Sequence, residues 1–177
     1  GKKIRTRGED MPRLVKAAGG TPVTIFLPEL YENLQRGVID GAPFSVDFIV
    51  TYKIYEVAKN ITEVVMWEGP AWGVFFSEKS WQKLSLDHQK IIMEISDRAR
   101  EREIVKTAEA GVAARKLLVE KGVKFHKFPA EELAKWQAAN PDFFADWIAK
   151  MKKKGLEKEA VQTVELWKDM RSWILCP

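Results

Sequence analysis

The fold is decided by residues 1–42, which read GKKIRTRGEDMPRLVKAAGGTPVTIFLPELYENLQRGVIDGA. Residues 4–6, 21–26 and 38–42 are short and apolar or β-branched, which is typical of strands. Two helix-like segments lie between them and end at Gly19-Gly20 and at Gly37, where glycine commonly stops a helix. The order strand, helix, strand, helix, strand predicts an α/β fold with a parallel-leaning mixed sheet flanked by helices.

A long helix is predicted from residue 86 to residue 121. Ser85 is a suitable N-cap and Asp87 falls in the first turn, and the segment contains no proline and only one glycine, Gly111. About 36 helical residues would extend about 50–55 Å, which exceeds the diameter of a small lobe. We therefore expect this helix to span two lobes, and a break near Gly111 is the alternative. A coiled coil is disfavoured because strict heptads are not sustained.

The remaining patterns predict further elements around the long helix. Apolar and charged residues interleave as in a helix, and two short apolar runs and one alternating run are typical of strands. The predicted helices are residues 46–60, 130–153 and 157–174, and the predicted strands are residues 64–67, 72–76 and 123–128.

Composition disfavours several classes of function. The 177 residues carry a net charge of +4, but 29 basic residues are interspersed with 25 acidic ones, so no stripe for nucleic acid is predicted. A single cysteine, Cys176, and two distant histidines predict no disulfide framework and no metal site. No run of 18 apolar residues is present, so direct membrane insertion is not expected.

Arg5 is the main candidate for binding a ligand. It lies at the end of a predicted strand, which is where open parallel sheets bind their ligands. Its planar guanidinium matches a carboxylate through two hydrogen bonds. A structural salt bridge or a solvated charge explains Arg5 equally well from the sequence alone. Arg7 is predicted to face solvent, and Phe44 could either wall a pocket or pack in the core.

No catalytic signature is present in the sequence. A nucleophile elbow, a phosphate loop and a dinucleotide-binding loop are all missing. Asp40 precedes Gly41, and an aspartate in such a turn commonly satisfies backbone groups. An enzyme that acts on a small organic acid, with Asp40 or Glu68 as base, remains an alternative, but no paired acid or nucleophile is evident.

Several motifs resemble the solute-binding proteins of TRAP transporters, the DctP-type family of periplasmic receptors. The resemblance covers roughly residues 1–128. It rests on residues 1–5, on the helix leading into residues 19–23, on residues 29–31 and 34–41, on residues 55–59 and on the start of the long helix at residues 84–89.

The resemblance implies a two-lobed clamp, without a cofactor or catalytic activity, that captures a small organic acid in the periplasm. Such receptors deliver the acid to a membrane permease, and an arginine in the place of Arg5 salt-bridges its carboxylate. Family members are roughly twice this length, so we expect the C-terminal portion, with the first lobe largely missing and no signal peptide. Residues 1–70 would then begin the second lobe, residues 71–110 would form a crossover strand and helix shared with the first lobe, and residues 111–177 would return to the second lobe and add C-terminal helices.

One segment departs from the family pattern. Many members carry a polar, often asparagine-containing stretch after the Asp-Gly turn, whereas residues 42–45 here are Ala-Pro-Phe-Ser. Phe44 and Ser45 are therefore predicted to contact a monocarboxylate or oxo acid with an apolar body, in place of a sialic acid-like polyol. Trp67 and Trp72 are predicted to wall the cleft. A truncated fragment that binds nothing is a further alternative.

Overall fold

The computed structural model describes residues 1–64 and 73–174, with side chains described as far as residue 169. Strand β1 (Lys3–Thr6) pairs in parallel with β2 (Thr21–Thr24), and helix α1 (Asp10–Ala17) connects them. A third extended piece flanks β1 through a parallel bridge between Ile4 and Gly41. The predicted strand–helix–strand–helix–strand order of residues 1–42 is therefore confirmed.

The turn between α1 and β2 depends on two glycines. Gly19 has φ of 75°, a left-handed conformation that glycine adopts without steric cost. A Cβ atom on Gly20 would lie 2.8 Å from Cγ1 of Val15. The pair therefore lets the chain leave α1 sharply and enter the sheet, where the Thr21 amide donates to the carbonyl of Lys2 at 2.8 Å.

The segment after the bridge is divided into shorter elements than predicted. Helix α2 (Leu30–Gln35) lies before the bridge at Gly41. After the bridge, helix α3 (Val46–Thr51) ends before Lys53, whose φ is 53°. A 3₁₀ turn and strand β3 (Asn60–Glu63) follow. The prediction of one helix over residues 46–60 was wrong, because the left-handed residue turns the chain.

Strand β3 begins a second parallel pair. It pairs with β4 (Lys124–Lys127). The chain between these two strands contains helices α4 (Glu78–Trp81) and α5 (Leu86–Glu120). The predicted long helix is confirmed at 35 residues, and its cap is confirmed because Ser85 Oγ accepts the His88 amide at 3.2 Å. The predicted strand at residues 64–67 lies mostly outside the described residues.

Two other predictions fail. Residues 73–76 form no strand, and Val74 and Phe75 are 88% and 90% exposed, so an apolar sequence there does not mean burial. Residues 130–153 form two helices, α6 (Ala130–Ala139) and α7 (Phe143–Lys152), because Pro141 interrupts the pattern. The last predicted helix is confirmed as α8 (Glu157–Ile174).

One hydrophobic core joins the second strand pair to the helices that follow the first. Leu118 near the end of α5 is fully buried, and α3 packs against α5. Trp136 Nε1 donates to the carbonyl of Leu14 at 3.2 Å, so α6 lies against α1. The α/β class is confirmed. The buried core residues are Ile25, Leu30, Ile39, Ile49, Ile54, Leu118 and Val123.

Candidate carboxylate-binding site

Arg5 lies at the carboxyl end of β1, where the first strand pair ends. The residue is only 7% exposed, and its Nε donates to the carbonyl oxygen of Ile25 at 3.0 Å. Ile25 directly follows β2, so this hydrogen bond ties the side chain across the ends of the two parallel strands. The orientation of the guanidinium is therefore fixed by the backbone of the neighbouring strand.

The guanidinium of Arg5 has no counter-charge within the described part of the chain. None of the ion pairs there involves Arg5. Burial away from water, and secondly the positive charge of Arg7, lower the pKa of Arg5. A buried charge is costly unless it is paired. The site is thus electrostatically suited to an anion, and the two Nη groups can bind one because the hydrogen bond to Ile25 uses only Nε.

Aromatic side chains border the guanidinium. Cζ of Arg5 lies 5.9 Å from the ring centroid of Phe44. The Phe44 ring in turn lies 5.7 Å from Phe48 and 5.9 Å from Tyr52. Phe48 and Tyr52 are 37% and 40% exposed, so this group of rings is open to solvent on one side. An apolar surface therefore adjoins the charged group.

The other three predicted ligand-binding residues are described only in part. Ser45 is exposed at the start of α3, and its side chain makes no capping hydrogen bond. Trp67 and Trp72, together with the alternative base Glu68, lie outside the described residues. Of the five predicted ligand-binding residues, the structure brings Arg5 and Phe44 into contact, and the binding roles of all five stay predictions.

Asp40 has a structural role in holding the edge of β1. Its Oδ2 accepts the amide of Lys3 at 2.7 Å, and its Oδ1 lies 3.8 Å from Nζ of Lys2. The Asp40 amide also donates to the carbonyl of Lys3 at 2.8 Å. This carboxylate is thus occupied by the backbone that it supports, as the turn pattern predicted.

Neither a metal site nor a membrane span is found among the residues described. No three histidine, cysteine, aspartate or glutamate side chains in those ranges come close enough together to hold an ion. Within the same ranges, no helix has both the length and the apolarity that a membrane crossing requires.

Sequence reasoning did not identify three contributors to the site. The Ile25 carbonyl is a backbone group, and the sequence gives no signal for it. Phe48 and Tyr52 follow Phe44 at intervals of four residues, which places side chains on one face of a helix. That spacing could have identified the rings as one group.

Comparison with known proteins establishes the family. The model of the family described as bacterial extracellular solute-binding protein, family 7 (DctP), matches residues 1–151. The chain belongs to this family. The resemblance drawn from the sequence motifs is therefore confirmed.

Among curated relatives of this DctP-family chain is the sialic acid-binding periplasmic protein SiaP of Vibrio cholerae. The two are 33% identical over 99 residues, which is 54% of this chain and 30% of the relative. The match thus spans less than a third of the relative's length.

Solved structures of TRAP periplasmic solute-binding proteins share the fold of this DctP-family chain. The protein from Desulfovibrio salexigens with bound orotic acid has a TM-score of 0.76 at 23% identity, covering 93% of this chain and 53% of the other. A marine metagenome protein, described as specific for aromatic acid ligands, has a TM-score of 0.73 at 25% identity, with coverage of 97% and 55%. This chain therefore corresponds to about half of those structures.

Proposed function

We propose that this chain forms part of a receptor that binds a small organic acid outside the cytoplasm, with Arg5 as the group that binds the ligand carboxylate. The observation that carries the proposal is the burial of the Arg5 guanidinium without an acidic partner in the described residues. A carboxylate supplied by the ligand would provide the missing counter-charge. The proposal assigns no catalytic step to the chain.

The geometry of Arg5 favours a two-point contact. With Nε engaged by Ile25, the two Nη groups remain to donate to the two oxygens of one carboxylate. Hydrogen bonds to charged groups contribute about 1.5–3 kcal/mol each. Closure of a second lobe over the ligand would remove water and strengthen the ion pair.

The names of similar proteins agree with an acid ligand. They mention sialic acid, orotic acid and aromatic acids. Phe44 beside Arg5 favours an acid with an apolar body over a polyol, because the ring offers no hydrogen bonds to hydroxyl groups. Ser45, Trp67 and Trp72 belong to the same proposed site.

The proposed function also includes a location, the periplasm, and partners, the permease subunits of the membrane. The family description places its members outside the cell, and the similar structures are named as periplasmic components of TRAP transport. We infer that the receptor works in the periplasm and hands its acid to membrane permease subunits. This handover is the step that a reconstituted transport assay would measure.

The test of the proposal is calorimetry with the protein at its full encoded length, because this chain covers only about half of its structural relatives. Acids that co-purify with the protein are first identified by mass spectrometry. Arg5→Lys keeps the charge but loses the planar fork, so the affinity for the identified acid should fall at least about tenfold. Arg7→Lys is the matched control, and its affinity should stay within about threefold of the parent.

Two outcomes contradict the proposal. An Arg5→Lys variant with parental affinity would remove Arg5 from the site. Turnover of the acid by the purified protein would instead favour the enzyme alternative. Comparison of the 177-residue chain with the full-length protein shows in addition whether this portion binds the acid by itself.

A further inference from the structure

We propose that the ligand is an aryl carboxylate, and that Phe44, Phe48 and Tyr52, here called the aromatic cluster, select its ring. This inference rests on the proposed function of Arg5 and names the substrate class of that same site. The guanidinium would hold the acid group while the aromatic cluster contacts the ring.

The geometry that supports this inference begins with Phe44. Its ring lies 5.9 Å from Cζ of Arg5 and within 6 Å of both Phe48 and Tyr52, at 5.7 and 5.9 Å. Phe44 therefore joins the cationic group to the other two rings. A carboxylate held by the Nη groups would place the atoms attached to it next to these rings.

The arrangement of the rings favours an arene over a saturated body. Phe48 and Tyr52 are nearly perpendicular, at 79° with centroids 6.1 Å apart, and Tyr52 is also edge-on to Phe44 at 64°. Such a set presents both faces and edges, and an additional aromatic ring can pack against these in tilted or edge-to-face geometry. A saturated ring of similar size would gain the same apolar contact but not the electrostatic attraction between face and edge.

Two rings of the cluster are accessible from outside the protein. Phe48 and Tyr52 keep 37% and 40% of their surface open although they pack against Phe44. Of the other aromatic pairs in the described residues, none includes a ring that lies over Arg5. The aromatic cluster is therefore the place where a carboxylate on Arg5 and an aromatic ring can be bound together.

The experiment compares matched acids by calorimetry on the full-length protein. Phenylacetate and benzoate are the aryl acids, cyclohexylacetate and cyclohexanecarboxylate are their saturated counterparts, and gluconate is a polyhydroxylated acid. We expect each aryl acid to bind about three- to tenfold more tightly than its saturated counterpart, which corresponds to the usual strength of an aromatic pair. Gluconate should bind more weakly than either.

Variants assign this preference to the cluster. Phe48→Leu and Tyr52→Leu should each reduce aryl affinity about three- to tenfold and leave the affinity for saturated acids nearly unchanged. Phe48→Tyr, which keeps an aromatic ring, should retain the aryl preference that Phe48→Leu loses. Phe128→Leu is the control, because Phe128 forms a similar tilted pair with Trp136 at 5.9 Å outside the cluster.

The outcomes separate this inference from the function on which it rests. Equal binding of aryl and saturated acids, tighter binding of gluconate, or an aryl preference that survives both leucine variants would overturn the inference while Arg5 remains the carboxylate site. If no carboxylic acid binds, or if Arg5→Lys changes nothing, the proposed function fails as well. The comparison of acids on the unaltered protein decides the case if a leucine variant does not fold.

Discussion

Replacing Arg5 with methionine is expected to stabilise the ligand-free protein while abolishing its response to acids. The change removes a charge that is 7% exposed and has no ion pair within the described residues. Desolvation of such an ion costs several kcal/mol. The losses are the bond from Nε to the Ile25 carbonyl, about 1.5–3 kcal/mol, and the contact with the Phe44 ring, about 0.5–1 kcal/mol. With a desolvation cost of about 4–5 kcal/mol and losses of about 3 kcal/mol, the net gain should be about 1–2 kcal/mol.

Urea unfolding with and without an acid at 100 times its dissociation constant measures both effects. The parent protein should gain about 2.7 kcal/mol from the ligand, because only the folded state binds it. The Arg5→Met variant should unfold at higher urea than the parent without ligand and should gain nothing from the acid. Arg7→Met is the control, and since Arg7 is exposed, its stability should change by less than about 0.5 kcal/mol.

A ligand-free Arg5→Met protein that is less stable than the parent by 1 kcal/mol or more would refute the reasoning. The arginine would then be a net contributor to the fold, held by its backbone bond. Retention of the stabilisation by acid in the variant would likewise exclude Arg5 from binding.

Two further predictions concern the strands. Thr6 is fully buried and its hydroxyl has no hydrogen-bond partner among the described residues, so Thr6→Val should raise the free energy of unfolding by about 1 kcal/mol. Thr24 is its exposed partner in the register, and Thr24→Val should change the stability little. A lower urea midpoint for Thr6→Val would contradict this reasoning. The hydrogen bond from Arg115 lowers the pKa of Glu63 below its ordinary value of 4.5, so the stabilisation is present above pH 4.5 and is lost as pH falls through the folded-state pKa. In thermal unfolding, Glu63→Gln should therefore lower Tm at pH 7, and its Tm should converge with that of the parent once the pH has fallen below the folded-state pKa of Glu63. A pH-independent difference, or an equal effect of Glu103→Gln on the exposed face of α5, would count against the pair.

Local signals in the sequence were enough to predict the elements whose ends are set by nearby residues. Ser85 caps α5 with its own side chain, and Gly19 ends α1 through its left-handed backbone. Both effects act within a few residues, so the sequence carries them directly. The α/β class and the family resemblance follow from the order of such elements.

The predictions that failed depended on information from other parts of the chain or on an overlooked residue. The apolar run at residues 73–76 reads as a buried strand, but burial requires a partner, and Phe75 is 90% exposed in the described structure. Lys53 gives no local signal for its left-handed conformation, because it is neither glycine nor asparagine. Pro141, in contrast, was a visible signal for the break between α6 and α7, since the residue before a proline disfavours the helical conformation.

The candidate site was predictable only in part for the same reason. The strand-end position of Arg5 and the turn before Phe44 are sequence features, and the structure brings these two side chains together. The bond to the Ile25 carbonyl depends on the parallel register of β1 and β2, which no single stretch of sequence specifies. The absence of a counter-charge in the described residues is likewise a property of the packing.

The long helix α5 is packed near one end only among the described residues that are buried. In the described structure its buried residues, Ala114 and Leu118, lie near its C-terminal end, where α3 packs against it. From Leu118 back to Leu86 the helix extends about 48 Å, so a tilt of about 5° at the packed end displaces the far end by about 4 Å. A rearrangement of α3 that tilted α5 by this amount would therefore move the opposite end of the helix by more than the length of a hydrogen bond.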